Sequence, residues 1–281
     1  MNEKRVCYNT KAFKGDNGMI GAIIGDIVGS IYEWDNIKKK TFRFFQKKMF
    51  FTDDSVFTLA IGEALVQTDG KLDGLQAQTV QIMQALGRKY PYAGWGNHQM
   101  RWIFSDNPIP YNSLGNGAGM RVASVAYVGH TLEEVLTLSD AVTSVTHNHP
   151  EGIKAARAIA GATYLALMTR DKAKIKAFVT DIIGYPLKET LDEIRPYYRY
   201  DVTAPGSSPQ AIQAFLESTS FEDAIRNAIS IGGDSDTIAA MTGAIAGAYY
   251  GVEGVMIEKA LSYLKPDLKD LYERFFERFI R

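Results

Sequence analysis

Apolar residues recur with helical spacing along most of the chain, and the alternating pattern typical of strands is scarce. Capping signals support this: Thr131 precedes Glu134 by three residues, and Ser220 precedes Asp223 in the same way. The best strand candidate is residues 42–51. Helices are predicted over residues 20–34, 54–67, 75–89, 120–128, 132–145, 151–168, 172–183, 209–217, 221–230, 237–250, 254–264 and 268–280. The pattern therefore predicts an all-α protein.

No linker rich in proline, glycine and serine divides the 281 residues, and no internal repeat is evident. Residues 1–18 are polar and lack the apolar run of a secretory signal, whereas patterned sequence begins at Met19. We expect residues 1–18 to be a polar N-terminal extension. Residues 19–281 are expected to form a single compact multi-helix domain.

Small residues recur at every fourth position in two predicted helices. The first row is Gly21, Gly25 and Gly29, which Glu33 continues, and the second is Ala239, Gly243 and Gly247. Glycine within a helix costs about 1 kcal/mol relative to alanine, so its repeated use needs a reason. Close approach of two buried helix backbones supplies one. These two helices are predicted to form the centre of the bundle.

Composition narrows the classes of function. Lysine and arginine number 31 against 32 acidic residues, so the chain lacks the positive excess typical of nucleic-acid-binding proteins. The single cysteine, Cys7, excludes an intrachain disulfide framework and a cysteine-based zinc cluster. The longest apolar stretches are too short or too charged for a membrane-spanning helix, which needs about 20 residues. We expect a cytoplasmic protein without a membrane partner.

Paired carboxylates occur at the starts of two predicted apolar helices, in Thr52-Asp53-Asp54-Ser55 and in the glycine-led segment that ends at Thr237. Helix capping accounts for one acid at each start but not for two, because neighbouring carboxylates repel each other. Hard divalent cations would supply the missing positive charge. From spacing alone, a metal site and helix capping both remain open.

Two further expectations concern the placement of acids. Residues two apart on a helix differ by about 200° in direction, so Asp234 and Asp236 are predicted to lie in the turn before their helix. Asp26 and Glu33 are seven apart and are predicted to share one helix face. A carboxylate beside a metal pair, but not bound to it, would suit proton transfer. The alternative is that Asp26 and Glu33 are surface acids.

Five motifs, in chain order, resemble those of the ADP-ribosylglycohydrolase family. They are GAIIGDIVGSIYE, FTDDS, GNGAGMR, the TH of THNHP and GGDSDT, and they extend from about Met19 to Gly251. The resemblance implies an all-α fold and metal-dependent hydrolysis of the bond that links ADP-ribose to an acceptor. It also implies a binuclear centre of two Mg²⁺, with Mn²⁺ as an alternative.

The resemblance also implies roles for individual residues. The expected metal ligands are Thr52, Asp53, Asp54, Asp234, Asp236 and Thr237. The expected catalytic residues are Glu33, Asp54 and Asp236, and Glu33 matches a glutamate linked to catalysis or to gating. The expected substrate-binding residues are Gly115, Asn116, Gly117 and His147. Leu114 and residues 201–211 depart from better-known members, which leaves the acceptor open: a protein side chain, a nucleobase or a small molecule.

Two other functions compete with the hydrolase. A catalytically silent ADP-ribose reader should have lost metal ligands, and all six are present here. A binuclear-metal phosphohydrolase usually recruits histidines, whereas His147 and His149 stand apart from the acidic motifs. The basic and aromatic segment from Lys38 to Phe51 is expected to be a lid that attracts a diphosphate. Nucleic acid is an expected partner only if the acceptor is an ADP-ribosylated base.

Overall fold

The computed structural model describes residues 18–281, and helices account for most of this part of the chain. The predicted extension, residues 1–18, lies outside the described residues except for Gly18, which opens the first helix. The α-helices are α1 Gly18–Gly29, α2 Asp53–Gln67, α3 Leu75–Lys89, α4 Asn97–Ile103, α5 Leu132–Thr143, α6 Pro150–Thr169, α7 Lys172–Ala177, α8 Leu191–Ile194, α9 Ala204–Leu216, α10 Phe221–Ser230, α11 Ser235–Tyr250, α12 Gly254–Leu261 and α13 Pro266–Phe279. The all-α prediction is confirmed.

Helices α1 and α11 form the buried centre, as the two rows of small residues predict. A Cβ atom on Gly21 would lie 2.2 Å from the carbonyl oxygen of Gly243, and one on Gly25 would lie 2.0 Å from that of Ala239. Only glycine allows the backbones to come this close. Around this pair, α6, α9 and α10 pack against α11, while α2 packs against α3 and α13.

The segment 42–51 is not a strand, so this prediction is wrong. It is an irregular loop, and among residues 18–281 the only isolated bridge joins Gly115 to Thr203. The aromatic side chains of the loop are held by helices instead: the Arg226 guanidinium lies 4.7 Å from the centre of the Phe42 ring. Nowhere in the described part of the chain does a neighbouring strand offer a backbone partner, and ring packing replaces the ladder that a strand would need.

Several predicted helix boundaries also need correction. The first helix ends at Gly29 rather than at residue 34. A Cβ on Gly29 would lie 2.5 Å from the Cα of Asp236. Residues 120–128 form only a short 3₁₀ segment, Ala123–Tyr127, and residues 178–183 form a π-helical turn. Helix α9 begins at Ala204 because Thr203 caps it. The short helices α4 and α8 have no apolar repeat long enough to predict them.

This arrangement brings three helix ends to one place. They are the C-terminal end of α1 and the N-terminal ends of α2 and α11. Within residues 18–281, no helix combines the length and the hydropathy needed to cross a lipid bilayer.

Candidate active site

The paired carboxylates lie at the N-terminal ends of α2 and α11. Thr52 is the N-cap of α2, with Asp53 and Asp54 in its first turn. Asp234 is the N-cap of α11, and Asp236 lies within the first turn. The expectation that Asp236 precedes its helix is therefore wrong. Gly232 and Gly233, with φ of 72° and 77°, complete the turn early enough for the helix to begin at residue 235.

Asp54 stands at the junction of the two helix ends. Its Oδ2 accepts a hydrogen bond from the Thr237 hydroxyl at 3.1 Å, and the Thr52 hydroxyl oxygen lies 3.3 Å away. Its Oδ1 is buried, and no residue from 18 to 281 offers it a hydrogen-bond partner. A buried carboxylate oxygen without a partner loses the hydration it has in water, so the site has an unmet demand for a donor or a cation.

Asp53 borders a neighbouring loop. Its amide donates to the carbonyl of Ala93 at 2.7 Å, and its carboxylate lies against Gly94, where a Cβ would come within 3.1 Å of Oδ1. Gly94 has a φ of 107°, in the region that favours glycine. Glycine at this position allows the loop to pass beside the acidic pair.

Asp26 connects α1 to the start of α2. Its carboxylate accepts hydrogen bonds from the Thr52 amide at 2.9 Å, the Thr52 hydroxyl at 2.7 Å, the Ser55 amide at 3.1 Å and the Ser55 hydroxyl. Burial outweighs these bonds and raises the pKa of Asp26 to about 6. Because donors occupy both of its oxygens, Asp26 anchors Thr52 and Ser55. It is fully buried, which excludes the surface alternative for this acid.

Glu33 does not share a helix face with Asp26, because α1 ends before it. It reaches the site from the following loop and forms an acidic group with Asp234 and Asp236. The Tyr200 hydroxyl donates to Glu33 Oε1 at 3.0 Å. Sequence reasoning gave no role to Tyr200, whose only signal was that it precedes the divergent segment 201–211.

Asn36 fixes the loop that carries Glu33 and was also missed from sequence. Its side-chain amide donates to the carbonyls of Glu33 and Gly233, each at 2.9 Å. Its Oδ1 accepts from the Gly233 amide at 2.8 Å. One side chain therefore joins the Glu33 loop to the glycine turn before α11. Nothing in the local sequence distinguishes this asparagine from a turn residue.

The expected substrate loop adjoins the acidic residues. Asn116 donates to Asp234 Oδ2 at 2.6 Å, and a Cβ on Gly117 would lie 3.2 Å from His147 Nε2. The amides of Gly115 and Asn116 already donate to the Ser113 hydroxyl and the Val202 carbonyl. The loop therefore contacts both the acidic residues and His147, but two of its backbone amides already donate hydrogen bonds within the protein.

The predicted basic lid is attached to the rest of the domain at its first lysines. Lys38 donates to the carbonyls of Tyr198 and Ile231, and Lys40 forms an ion pair with Asp223. These cations hold the loop against neighbouring elements rather than facing a free diphosphate. His149, as expected for a residue before a helix, caps α6.

The acids of the site carry strongly perturbed pKa values. Burial, followed by repulsion from neighbouring carboxylates, raises the pKa values of Asp53, Asp54 and Asp236 well above their usual range. Burial also raises the pKa values of Asp234 and Glu33. No lysine or arginine within residues 18–281 forms a salt bridge with any of them. Helix N-termini supply only part of the missing positive charge.

Two sets of carboxylates are close enough to hold a metal ion. Asp26, Asp54 and Asp236 form one, Glu33, Asp234 and Asp236 form the other, and in each set one oxygen from every residue lies within 4.8 Å of the rest. The two sets share Asp236. Carboxylate and hydroxyl oxygens in this arrangement suit hard divalent cations.

Comparisons with known proteins agree with the family resemblance that the motifs indicate. The ADP-ribosylglycohydrolase family model matches residues 13–281. The ADP-ribosylarginine hydrolase Tri1 of Pseudomonas putida (strain GB-1) is 26% identical, covering 86% of this chain and 72% of its own. The ADP-ribosylhydrolase ARH3 of Homo sapiens is 26% identical, covering 84% and 85%.

Two further comparisons agree. The ADP-ribosyl-[dinitrogen reductase] glycohydrolase of Rhodospirillum rubrum is 28% identical, covering 73% of this chain and 70% of its own. A solved structure, the ADP-ribosylglycohydrolase-related protein complex, has a TM-score of 0.67 at 24% identity, covering 93% of this chain and 96% of that one, and shares the fold. Because the family model spans nearly the whole chain, this protein belongs to the ADP-ribosylglycohydrolase family, whose members are hydrolases of ADP-ribose glycosidic bonds.

Proposed function

We propose that this protein hydrolyses the glycosidic bond between ADP-ribose and an acceptor, and that the reaction depends on two divalent cations, Mg²⁺ or Mn²⁺. The observation that carries the proposal is the convergence of buried carboxylates from the starts of α2 and α11, with no lysine or arginine of the described part of the chain in a salt bridge with them. Burying such a group of charges is unfavourable unless counter-charge is supplied.

The residues present fit such cations. Asp54 Oδ1 is buried and has no partner within the described residues, so at least one ligand atom is free to coordinate. The donor set consists of carboxylates and hydroxyls, which Mg²⁺ and Mn²⁺ prefer over nitrogen and sulfur. The proposed ligands are Thr52, Asp53, Asp54, Asp234, Asp236 and Thr237. When bound, the cations would stabilise negative charge on water and on the substrate's hydroxyl oxygens.

The chain's own carboxylates perform the proton transfers in this proposal. Water adds its oxygen to the anomeric carbon of the ribose as the bond to the acceptor breaks. Asp54 or Asp236 would accept the proton released by that water. The Tyr200 hydroxyl donates to Glu33 Oε1, and in this proposal Glu33 hands a proton to the departing acceptor. The products are ADP-ribose and the protonated acceptor.

A panel of acceptors tests the function. ADP-ribosylated arginine, serine, nucleobase and O-acetyl substrates would be incubated with Mg²⁺, with Mn²⁺ and with chelator, and the products separated by chromatography. Metal-dependent release of free ADP-ribose supports the proposal. Release of AMP or phosphate would identify a phosphohydrolase, and binding without product would identify an ADP-ribose reader. Fractionation of cells would test the predicted cytoplasmic location separately.

A further inference from the structure

His147 sits at the end of a buried hydrogen-bonded relay. The Thr146 hydroxyl oxygen lies 2.7 Å from His147 Nδ1 and 2.7 Å from Arg121 Nη2. Arg121 and Thr146 are fully buried, and His147 is 4% exposed. In this relay water does not compete for the hydrogen bonds, so the positions of the hydrogens follow from the donors and acceptors that the chain provides.

Which group donates in each hydrogen bond of the relay follows from the number of donors and acceptors that each side chain has. A guanidinium can only donate, so the Thr146 oxygen accepts from Arg121. Thr146 has one hydroxyl hydrogen, and among residues 18–281 its other side-chain contact is His147 Nδ1. If Nδ1 carried a proton, the hydroxyl hydrogen would be buried without an acceptor, which is costly. Thr146 therefore donates to Nδ1, which is unprotonated.

The charge state of His147 agrees with this direction. Burial, assisted by the nearby Arg121 cation, lowers the pKa of His147 well below its usual range. The Tyr111 ring, 6.0 Å away between ring centres, adds no charge near neutral pH, since burial raises the pKa of Tyr111 to about 12. A neutral imidazole with an unprotonated Nδ1 carries its hydrogen on Nε2.

Nε2 faces the loop Gly115-Asn116-Gly117. A Cβ on Gly117 would lie 3.2 Å from Nε2, which is a tight contact, whereas one on Gly115 would lie at an ordinary 3.5 Å, so it is Gly117 that leaves room beside this nitrogen. Within residues 18–281, Nε2 has no hydrogen-bond partner. An N–H donor that faces a cleared space beside a loop is available to an incoming acceptor.

We propose that Arg121 and Thr146 are positioning residues that hold His147 in the Nε2–H form, so that it donates a hydrogen bond to an oxygen of the bound ligand. The relay fixes which ring nitrogen carries the hydrogen, and the glycine loop leaves room beside that nitrogen for a ligand oxygen. The inference rests on the proposed function in one respect, namely that the loop lies beside the ADP-ribose moiety. Phosphate and ribose oxygens share the required acceptor chemistry.

The hydrogen position can be measured without substrate. Nitrogen-15 labelling of the four histidines, with two-bond ¹H–¹⁵N correlation at pH 7, reports which ring nitrogen is protonated. The His147 signals are assigned by their loss in His147→Gln. We expect a protonated Nε2 and an unprotonated Nδ1 in the wild type. In Thr146→Val, where the hydroxyl donor is gone, the Nδ1–H form should gain population, and Thr146→Ser should restore the original pattern.

Ligand binding supplies the second readout. ADP-ribose should bind Thr146→Val about tenfold more weakly than the wild type, as loss of one aligned hydrogen bond implies, and Thr146→Ser should bind normally. A protonated Nδ1 in the wild type, or an unchanged tautomer in Thr146→Val, would overturn the relay. An altered tautomer with unchanged ADP-ribose affinity would overturn the proposed contact.

These measurements separate the relay from the proposed function. The wild-type spectrum needs no catalysis, and His147→Gln is used only to assign it, so the hydrogen position is decided even if Thr146→Val does not fold. Failure of the hydrolase proposal would show as an absence of released ADP-ribose, with the spectrum unaffected.

Discussion

Thr237 donates its hydroxyl hydrogen to Oδ2 of Asp54 at 3.1 Å, although 183 positions separate the two residues in the chain. The contact joins the first turns of α2 and α11. Each helix start carries acids that repel those of the other, and this hydrogen bond is a favourable direct contact between the two helix starts. The site is therefore a property of the packing of two distant segments, and the predictions below test it from several directions.

Removing a carboxylate at the junction should abolish turnover without unfolding the protein. In Asp54→Asn and Asp236→Asn we expect kcat to fall about 100-fold or more, because a counter-charge for the proposed cations is lost. Asp106→Asn, an exposed loop acid, is the matched control and should keep wild-type activity. Steady-state kinetics with Mg²⁺ and circular dichroism measure both properties. Full activity in both site variants would contradict the assignment.

Divalent cations should stabilise the fold. A ligand that binds only the native state, at a free concentration of 100 times its Kd, adds about 2.7 kcal/mol to the free energy of unfolding. Mg²⁺ should therefore raise Tm by several degrees relative to protein in chelator. The increase should be much smaller in Asp54→Asn. An equal Mg²⁺ effect in that variant would place cation binding elsewhere. Differential scanning calorimetry provides the measurement.

Without metal, stability should fall as pH rises. The pKa of Asp26 moves from 3.8 to about 6 on folding, and the pKa values of Asp53, Asp54 and Asp236 also rise. The folded state therefore binds more protons, and this stability is present below pH 4 and lost as pH passes the folded values. For Asp26 alone the change is on the order of 3 kcal/mol.

Urea unfolding in chelator between pH 4 and 8 measures this dependence. His147, whose pKa is lowered on folding, acts in the opposite direction, so the comparison with a variant is needed. Asp236→Asn removes one raised pKa and should show a shallower fall in stability with pH. A metal-free wild type whose stability rises steadily over this range would contradict the burial of these acids.

Alanine in the central crossing should be strongly destabilising. In Gly21→Ala the new methyl group would lie 2.2 Å from the carbonyl oxygen of Gly243, and the helices must separate to admit it. Overpacking of this kind costs about 1–3 kcal/mol. Gly254→Ala is the control, because nothing lies within 4 Å of its Cβ position. Equal unfolding free energies for the two variants would mean that the close approach is not needed.

Glu33 should matter more for turnover than its tyrosine partner. Glu33→Gln removes the proton-transfer group and should lower kcat about 100-fold, within the usual range for general acid–base catalysis. Tyr200→Phe leaves the carboxylate but removes its hydrogen bond, so the loss should be about tenfold or less. A pH–rate profile of Tyr200→Phe should retain the limb that Glu33→Gln lacks. Wild-type kcat in Glu33→Gln would remove Glu33 from the chemistry.

The central helices and the acidic motifs could be predicted from sequence because their signals are local. The row of glycines from Gly21 to Gly29 indicates close packing of two helices, and two acids at one helix start indicate that positive charge is needed there. The family resemblance is confirmed by the match over residues 13–281. The assignment of individual metal ligands and substrate contacts stays a prediction.

The rest depends on contacts between distant segments. Helix α1 ends at Gly29, which lies against Asp236 of α11, and the apolar pattern alone does not show this contact, so it extended the helix too far and placed Glu33 on it. Asn36 and Tyr200 take their roles from partners that lie far away in sequence. Phe42 packs against Arg226 of α10, and the local pattern of residues 42–51 does not distinguish such packing from a strand.

The meeting of α1 with α11 has a consequence for biosynthesis. The Ser235 hydroxyl binds the carbonyl of Tyr32, 203 positions earlier, so the apolar first helix leaves the ribosome long before the segment that covers it. At usual translation rates this interval lasts roughly 10–40 s. Throughout that interval the apolar surface of the first helix lacks the helix that covers it in the folded protein. The enzyme has no assembled site until its C-terminal third has been translated.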